Sequence, residues 1–351
     1  MDTCFKSRLT PFMGICLVGL FVATCSGVLV RRASVRSLIG YAPIVVKGQV
    51  TAVSDAPGVA SPFPGFGEAV QVEVQKATIK LEYKLKGELQ NGEILVFFLK
   101  ENLTYSFTSL EVGNTYLLFL SKCEAGFRFH DPQNGALPVL KGKPEKIEGD
   151  PFEMARVELE RSLGTQERTL IRLALPGLAS IGDARSLEKI KPYTSSPDEA
   201  IRIRAVAAAL ALGEWQYAEQ LVRFVDAHYR PETHGFHYTG DVGMHEIPWH
   251  GYLRAVTNEA AAPLFLKLLK QSKSPDLRSL LAASLTSMHS PDVLPFLIEM
   301  LRDKNEDIAY SAYASIMEIR GQARSSSDKF GREKGRIIQE IEHWAASQAP
   351  R

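Results

Sequence analysis

LTSMHSPDVLPFLIEML, Leu285 to Leu301, is the stretch that decides the fold. It ends one helix on small and apolar residues, turns at Ser290-Pro291-Asp292, and begins a second apolar helix. A hydroxyl cap, proline at the first helical position and an acidic residue behind it form a helix start, because each suits the unpaired N–H groups there. Ser274-Pro275-Asp276 repeats those three positions, and Asp150-Pro151-Phe152-Glu153 and Ser196-Pro197-Asp198-Glu199 extend the device by a glutamate. A helix start that recurs in one form predicts an array.

The spacing supports an array. Turns of the same kind begin at Leu178, Leu210, Arg254, Leu285 and Ile316, giving steps of 32, 44, 31 and 31 residues. In each unit the first helix carries small apolar residues (Ala205, Ala208, Ala209, Leu212) and the second larger ones (Leu294, Leu297, Ile298, Leu301). Neither helix hides its stripe alone, so stacked pairs would share one core. Ile337, Ile341 and Trp344 line one face of a final segment whose other face is charged, as an end cap requires. From Glu167 to Gln322 the chain resembles HEAT-like arrays of the type named after the phycobilisome lyases, with Arg204, Asp276, Arg278 and Asp307 at matching positions. That resemblance implies an α-solenoid over 150–349 with a surface for a protein partner.

Upstream the pattern differs. Between Ser34 and Gly142, short runs rich in Val, Ile, Phe and Tyr are separated by Pro and Gly clusters, predicting five or six strands behind a short helix at Ser34–Ile39. Val70, Val72 and Val74 alternate with polar residues, and ILVFFL reads as a strand covered on both faces. A small all-β barrel or sandwich over 34–145 is expected, followed by the all-α solenoid. Pro43–Val50, Leu85-Lys86-Gly87 and Gly113–Leu120 are similar to small secreted domains of the OB-like, netrin/TIMP-like type. The inhibitory members of that group depend on an N-terminal cysteine with disulfides, which this chain lacks, so the resemblance implies the fold and not the inhibition. The lysines between 141 and 146 read as a solvated linker.

Lys6 and Arg8 precede an apolar run from Phe12 to Val30, so residues 1–30 read as a targeting segment. Three readings stand: a cleaved signal peptide, a lipoprotein acylated at Cys25 within VATC, or a retained anchor. In most of these the body works outside the cytoplasm, in the periplasm, the cell envelope or secreted, and touches membrane only through this segment or a Cys25 lipid. Cys4 and Cys16 lie in the targeting segment, leaving Cys25 and Cys123; if Cys25 is removed or acylated, Cys123 is alone. With no C-x-x-C spacing the fold is expected to rest on its cores, Cys123 reading as a buried small residue after a strand. A net charge of +1 excludes a general nucleic-acid binder.

The one long step contains DAHYRPETHGFHYTGDVGMHEIPWH, residues 226–250, with five of the eight histidines: His228, His234, His237, His245 and His250. Insertions in repeat arrays fall in loops on one face, often the binding face. His245-Glu246-Ile-Pro-Trp-His250 has three residues between Glu and the second His, which defeats the i, i+4 pairing of a zinc protease. Zinc held by His234, His237, His245 and His250, with Asp241 or Glu246, is the alternative chemistry, giving a metal-binding protein or metal-dependent hydrolase. The leading expectation is a non-catalytic binding protein without a cofactor, whose contact residues are Tyr229, Phe236, Tyr238 and Trp249, with Arg202 and Arg204 nearby. No G-x-S-x-G elbow or Walker-type loop is present, and the carboxylates Glu158 and Glu160, like Asp303, Glu306 and Asp307, read as solvated helix surface. Asn102-Leu-Thr104 matches an N-glycosylation acceptor.

Overall fold

The computed structural model describes residues 33–63, 73–90, 92–100, 107–145, 148–230, 235–236 and 249–348, with the backbone alone at 229–230, 235–236, 249–250, 291 and 348. Cys25, Val70, Val72 and Asn102 lie outside these residues. Ser34 caps α1 (Val35–Tyr41) by accepting from the Ser37 N–H, as its hydroxyl and position predict.

Six strands follow: β1 (Ile44–Asp55), β2 (Val74–Lys86), β3 (Glu93–Leu99), β4 (Thr115–Cys123), β5 (Gly126–Phe129) and β6 (Ala136–Pro138). They form one mixed sheet in the order β1-β2-β3-β5-β4-β6, and β4 also pairs back onto β1, with Ile44 opposite Leu120. Every pairing is antiparallel except β3 with β5. The period of two sorts the side chains. Ile44, Val46, Leu118 and Leu120 join Ile79, Phe98 and Phe129 in one core, whereas Val45, Leu117 and Phe119 join a second core with the helices. β1 and β4, with Leu85 of β2, are therefore the strands that reach the helices. In β3, which contains ILVFFL, Val96, Phe97, Phe98 and Leu99 are all buried, so both faces are covered there as the run predicts, and of the run only Leu95 is exposed. Cys123 is the last residue of β4 and half-buried, not a buried residue beyond it.

The helical part begins with α2 (Pro151–Leu163), capped by Asp150 accepting from Phe152 and Glu153 N–H, and continues with α3 (Arg168–Ile181) and the short α4 (Leu187–Ile190) between 3-10 turns. Then come α5 (Glu199–Ala211), α6 (Ala218–Ala227), α7 (Trp249–Arg254), α8 (Ala262–Gln271), α9 (Pro275–Ser287), α10 (Leu294–Leu301), α11 (Glu306–Ile319) and α12 (Ser327–Gln348). The five turns read from the sequence fall at the ends of α3, α5, α7, α9 and α11, and these helices stack in one row. In the other row α6 lies on α8 and α10 on α12. Ser274 caps α9 as its motif predicts. At α5 the cap is Asp198, not Ser196: a carboxylate two residues on accepts from Ala200 and Ile201 N–H, and Ser196 supports Asp198 N–H instead. Among the described residues no helix is long and apolar enough to cross a membrane.

α5 joins two cores. Ile203, Val206, Ala207 and Leu210 face the core that runs to Ile341 of α12, and Ile201, Ala205, Ala208 and Ala209 face the core shared with the sheet. Its alanines let neighbours approach from both sides, which a single-sided amphipathic stripe would not allow. Each buried Leu or Ile in such a stack contributes about 1.5–3 kcal/mol.

Candidate functional site

The insertion leaves the array after α6. His228 ends that helix, its Nδ1 2.8 Å from the Phe224 carbonyl and its ring 4.4 Å from the Phe224 ring. A two-residue ribbon follows, β7 (Tyr229–Arg230) against β8 (Gly235–Phe236), with Tyr229 opposite Phe236. The chain re-enters at α7, whose first residues are Trp249 and His250. Tyr252, one turn on, is half-buried, and desolvation pushes its hydroxyl pKa up to about 12. His234, His237, Tyr238 and His245 lie outside the described residues. Among the described residues no group of three or more His, Cys, Asp or Glu converges as metal ligands.

The base of the insertion is fastened to the next unit. Asp226 Oδ1 accepts from Ser272 Oγ at 2.9 Å and from Ser274 N–H at 3.3 Å, so α6 holds the turn between α8 and α9. Successive helices are also linked across the surface by Arg168–Asp198, Lys267–Glu219 and Arg302–Glu342. Arg202 is half-exposed and donates to the Ser196 carbonyl at 2.8 Å. Arg204 is a correction: it is only 4% exposed, because α5 is packed on both sides, and its guanidinium donates to the Ala200 carbonyl. It offers no surface to a partner.

A cleft of about 370 Å³ lies where α1, α2 and the end of α3 meet, lined by Arg36, Phe152, Glu153, Asp183 and Arg185 among others. Arg185 binds both Glu153 and Asp183, and Arg156 binds Glu153 and Glu160. The hydrogen bond from Arg156 holds Glu153 below the usual carboxylate range, and that from Arg185 does the same for Asp183. With each charge engaged by a neighbour, the cleft is a paired surface.

Residues 261–327 match the family model of HEAT repeats. The match spans α8 to α11, two of the stacked pairs described above. No curated protein matches the chain. HEAT repeats commonly mediate protein–protein interaction, through surfaces built from one helix row of each repeat.

The arrangement that sequence reasoning missed lies between sheet and helices. Lys47 of β1 and Glu158 of α2 are both fully buried and 2.9 Å apart. Tyr83 of β2 donates its hydroxyl to Glu158 Oε1, and Arg161 Nη1 reaches both Glu158 oxygens at 3.0 Å. Burial, together with that carboxylate, drives the Tyr83 pKa well above its ordinary value. Lys47 also donates to the Gly142 carbonyl at 2.6 Å, and Arg161 donates to the same oxygen at 2.8 Å. Glu82 Oε1 accepts from Gly142 N–H, while its Oε2 lies 3.3 Å from Lys47 Nζ without hydrogen-bond geometry, an ion-pair contact only. Glu158 is thus no solvated residue, and Gly142 no free linker. The signal was there: Glu158 sits three residues after Ala155 and one before Leu159, on the buried face of α2.

Proposed function

We propose that this is a non-catalytic, extracytoplasmic binding or scaffold protein whose helical array offers its surface to a protein partner, with no cofactor in that role. The observation that carries the reading is the ladder of stacked helix pairs, part of which matches HEAT repeats. The insertion at 226–250 gives one unit a length of chain the other units lack, and Tyr229, Phe236, Tyr238 and Trp249 are its proposed contacts. The near-neutral charge favours a protein over nucleic acid. For the body over 34–145, the circuit β1-β2-β3-β5-β4 and back to β1 supports the OB-like reading. The targeting segment supports a place in the periplasm, the envelope or the secreted fraction, with membrane contact through that segment or a Cys25 lipid.

Cross-linking mass spectrometry on the full-length protein in its own cells tests this. The expected result is cross-links from exposed array lysines, Lys267, Lys270, Lys273 and Lys304, to a second protein outside the cytoplasm, lost when residues 231–247 are replaced by a short Gly-Ser loop. Cross-links confined to cytoplasmic proteins, or stoichiometric zinc released with a hydrolytic activity, would overturn it.

A further inference from the structure

We infer that the sheet and the first helical units form one rigid, cooperatively folding body, strapped by α1 and held in register by the Lys47–Glu158 pair, so that the array carries the β part at a fixed angle. This stands apart from partner binding and rests on the seam alone. Two parts of unlike architecture joined by a lysine-rich segment would ordinarily move against each other, unless their interface is large and apolar. Here Val45, Leu85, Leu117, Phe119 and Val139 from the β side share a core with Ala155, Leu159, Ile171, Leu175 and Leu178 from the helices.

The chain order tightens the joint. α1 precedes β1 yet packs on α3: Val35 N–H donates to Ser180 Oγ at 3.1 Å and Arg36 donates to the Ile181 carbonyl at 2.8 Å. Gly177 instead serves the α2–α3 contact, since a Cβ there would stand 2.9 Å from Leu159, while its 3.7 Å to Val35 would be ordinary contact. The connection after β6 is docked as well, through Leu140 N–H to Ser162 Oγ at 3.2 Å and through the two cations on the Gly142 carbonyl. Covalent links therefore enter the seam from both ends of the sheet, and both are pinned.

The buried charges act on register more than on strength. Their mutual attraction is largely offset by the loss of hydration, so apolar contact supplies the binding energy. A docking shifted by one strand residue or one helical turn would leave Lys47 or Glu158 buried without its partner, which is strongly unfavourable.

Hydrogen exchange with mass spectrometry on the full-length protein across a urea series tests the inference. Peptides from β1 and β4 are expected to lose slow exchange at the same urea concentration as peptides from α2 and α3. Loss from the strands while α2 and α3 stay protected, or the reverse, would overturn it. A second measurement uses Lys47→Met: exchange in α2 and α3 should accelerate by about tenfold or more, in step with β1 and β4. Acceleration confined to the strands would equally refute it.

Discussion

Asp226, at the end of α6, accepts the Ser272 hydroxyl at 2.9 Å across the whole histidine-rich insertion. The same carboxylate oxygen takes the N–H of Ser274, a fully buried residue that in turn caps α9. One side chain thus ties the unit before the insertion to the unit after it. Asp226→Ala takes the acceptor from the Ser272 hydroxyl and leaves the Ser274 N–H with Ser272 Oγ alone, and should cost about 1–3 kcal/mol. Asp226→Asn, which keeps an acceptor oxygen, should lose less. Denaturant midpoints read by fluorescence measure this directly, since Trp215, Trp249 and Trp344 all lie in the helical part. An unchanged midpoint for the alanine variant would show that the clip carries no stability.

At the seam, Lys47→Met leaves Glu158 with Arg161 and Tyr83 but deprives Glu82 and the Gly142 carbonyl of a cation. The expected loss is about 2–4 kcal/mol, at or below the usual cost of breaking a buried pair because Arg161 remains. Lys47→Met with Glu158→Met replaces both charges by apolar bulk, and Arg161, a quarter exposed, can turn to water. The double variant should therefore be more stable than Lys47→Met alone. Losses that simply add in the double variant would contradict this account of the pair.

Acid should loosen the helical part near the α2–α3 cleft. Glu153 and Asp183 titrate lower in the folded chain than in the unfolded one, through Arg156 and Arg185 respectively. The unfolded chain then takes up protons first as pH falls. The stabilisation is present above the ordinary carboxylate range of about 4 and fades as pH drops through the lowered folded values. Melting temperatures taken between about pH 6 and about pH 3 should decline, and Glu153→Gln with Asp183→Asn should flatten that decline. A parallel decline in wild type and variant would place the acid sensitivity elsewhere.

What could be read from the sequence was local. The positions Leu178, Leu210, Leu285 and Ile316 mark helix ends because apolar periodicity and capping act within one turn. Ser196 misled because two acceptors stand two residues apart, and the carboxylate of Asp198 took the cap. The burial of Glu158 was legible from its place beside Ala155 and Leu159, but its partner Lys47 lies 111 positions away, and nothing local to either residue announces the other. The ribbon at Tyr229–Arg230 and Gly235–Phe236 is too short for alternation to reveal. ILVFFL is covered on both faces over Val96–Leu99, as its unbroken apolar run predicts, whereas which strands reach the helices is a docking property that no run of residues displays.

Two glycines of the OB-like pattern separate backbone strain from close contact. Gly87 and Gly113 have φ of +84° and +92°, a region that disfavours side chains by about 1–2 kcal/mol. At Gly113 a Cβ would meet nothing within 4 Å, so Gly113→Ala should cost only that strain. At Gly87 the same atom would sit 2.5 Å from the Pro43 carbonyl oxygen and 3.0 Å from Ile44 Cγ1, against backbone that cannot swing aside. Pro43 leads into β1, whose Val45 is packed at the seam with α2 and α3, so relief by local movement would disturb both cores. Gly87→Ala should therefore exceed Gly113→Ala by about 1–3 kcal/mol, the usual cost of forcing extra atoms into packed structure. Urea midpoints of the two variants decide it: equal shifts would mean that the turn at Gly87 opens freely, which the paired ends of β1 and β2 beside it argue against.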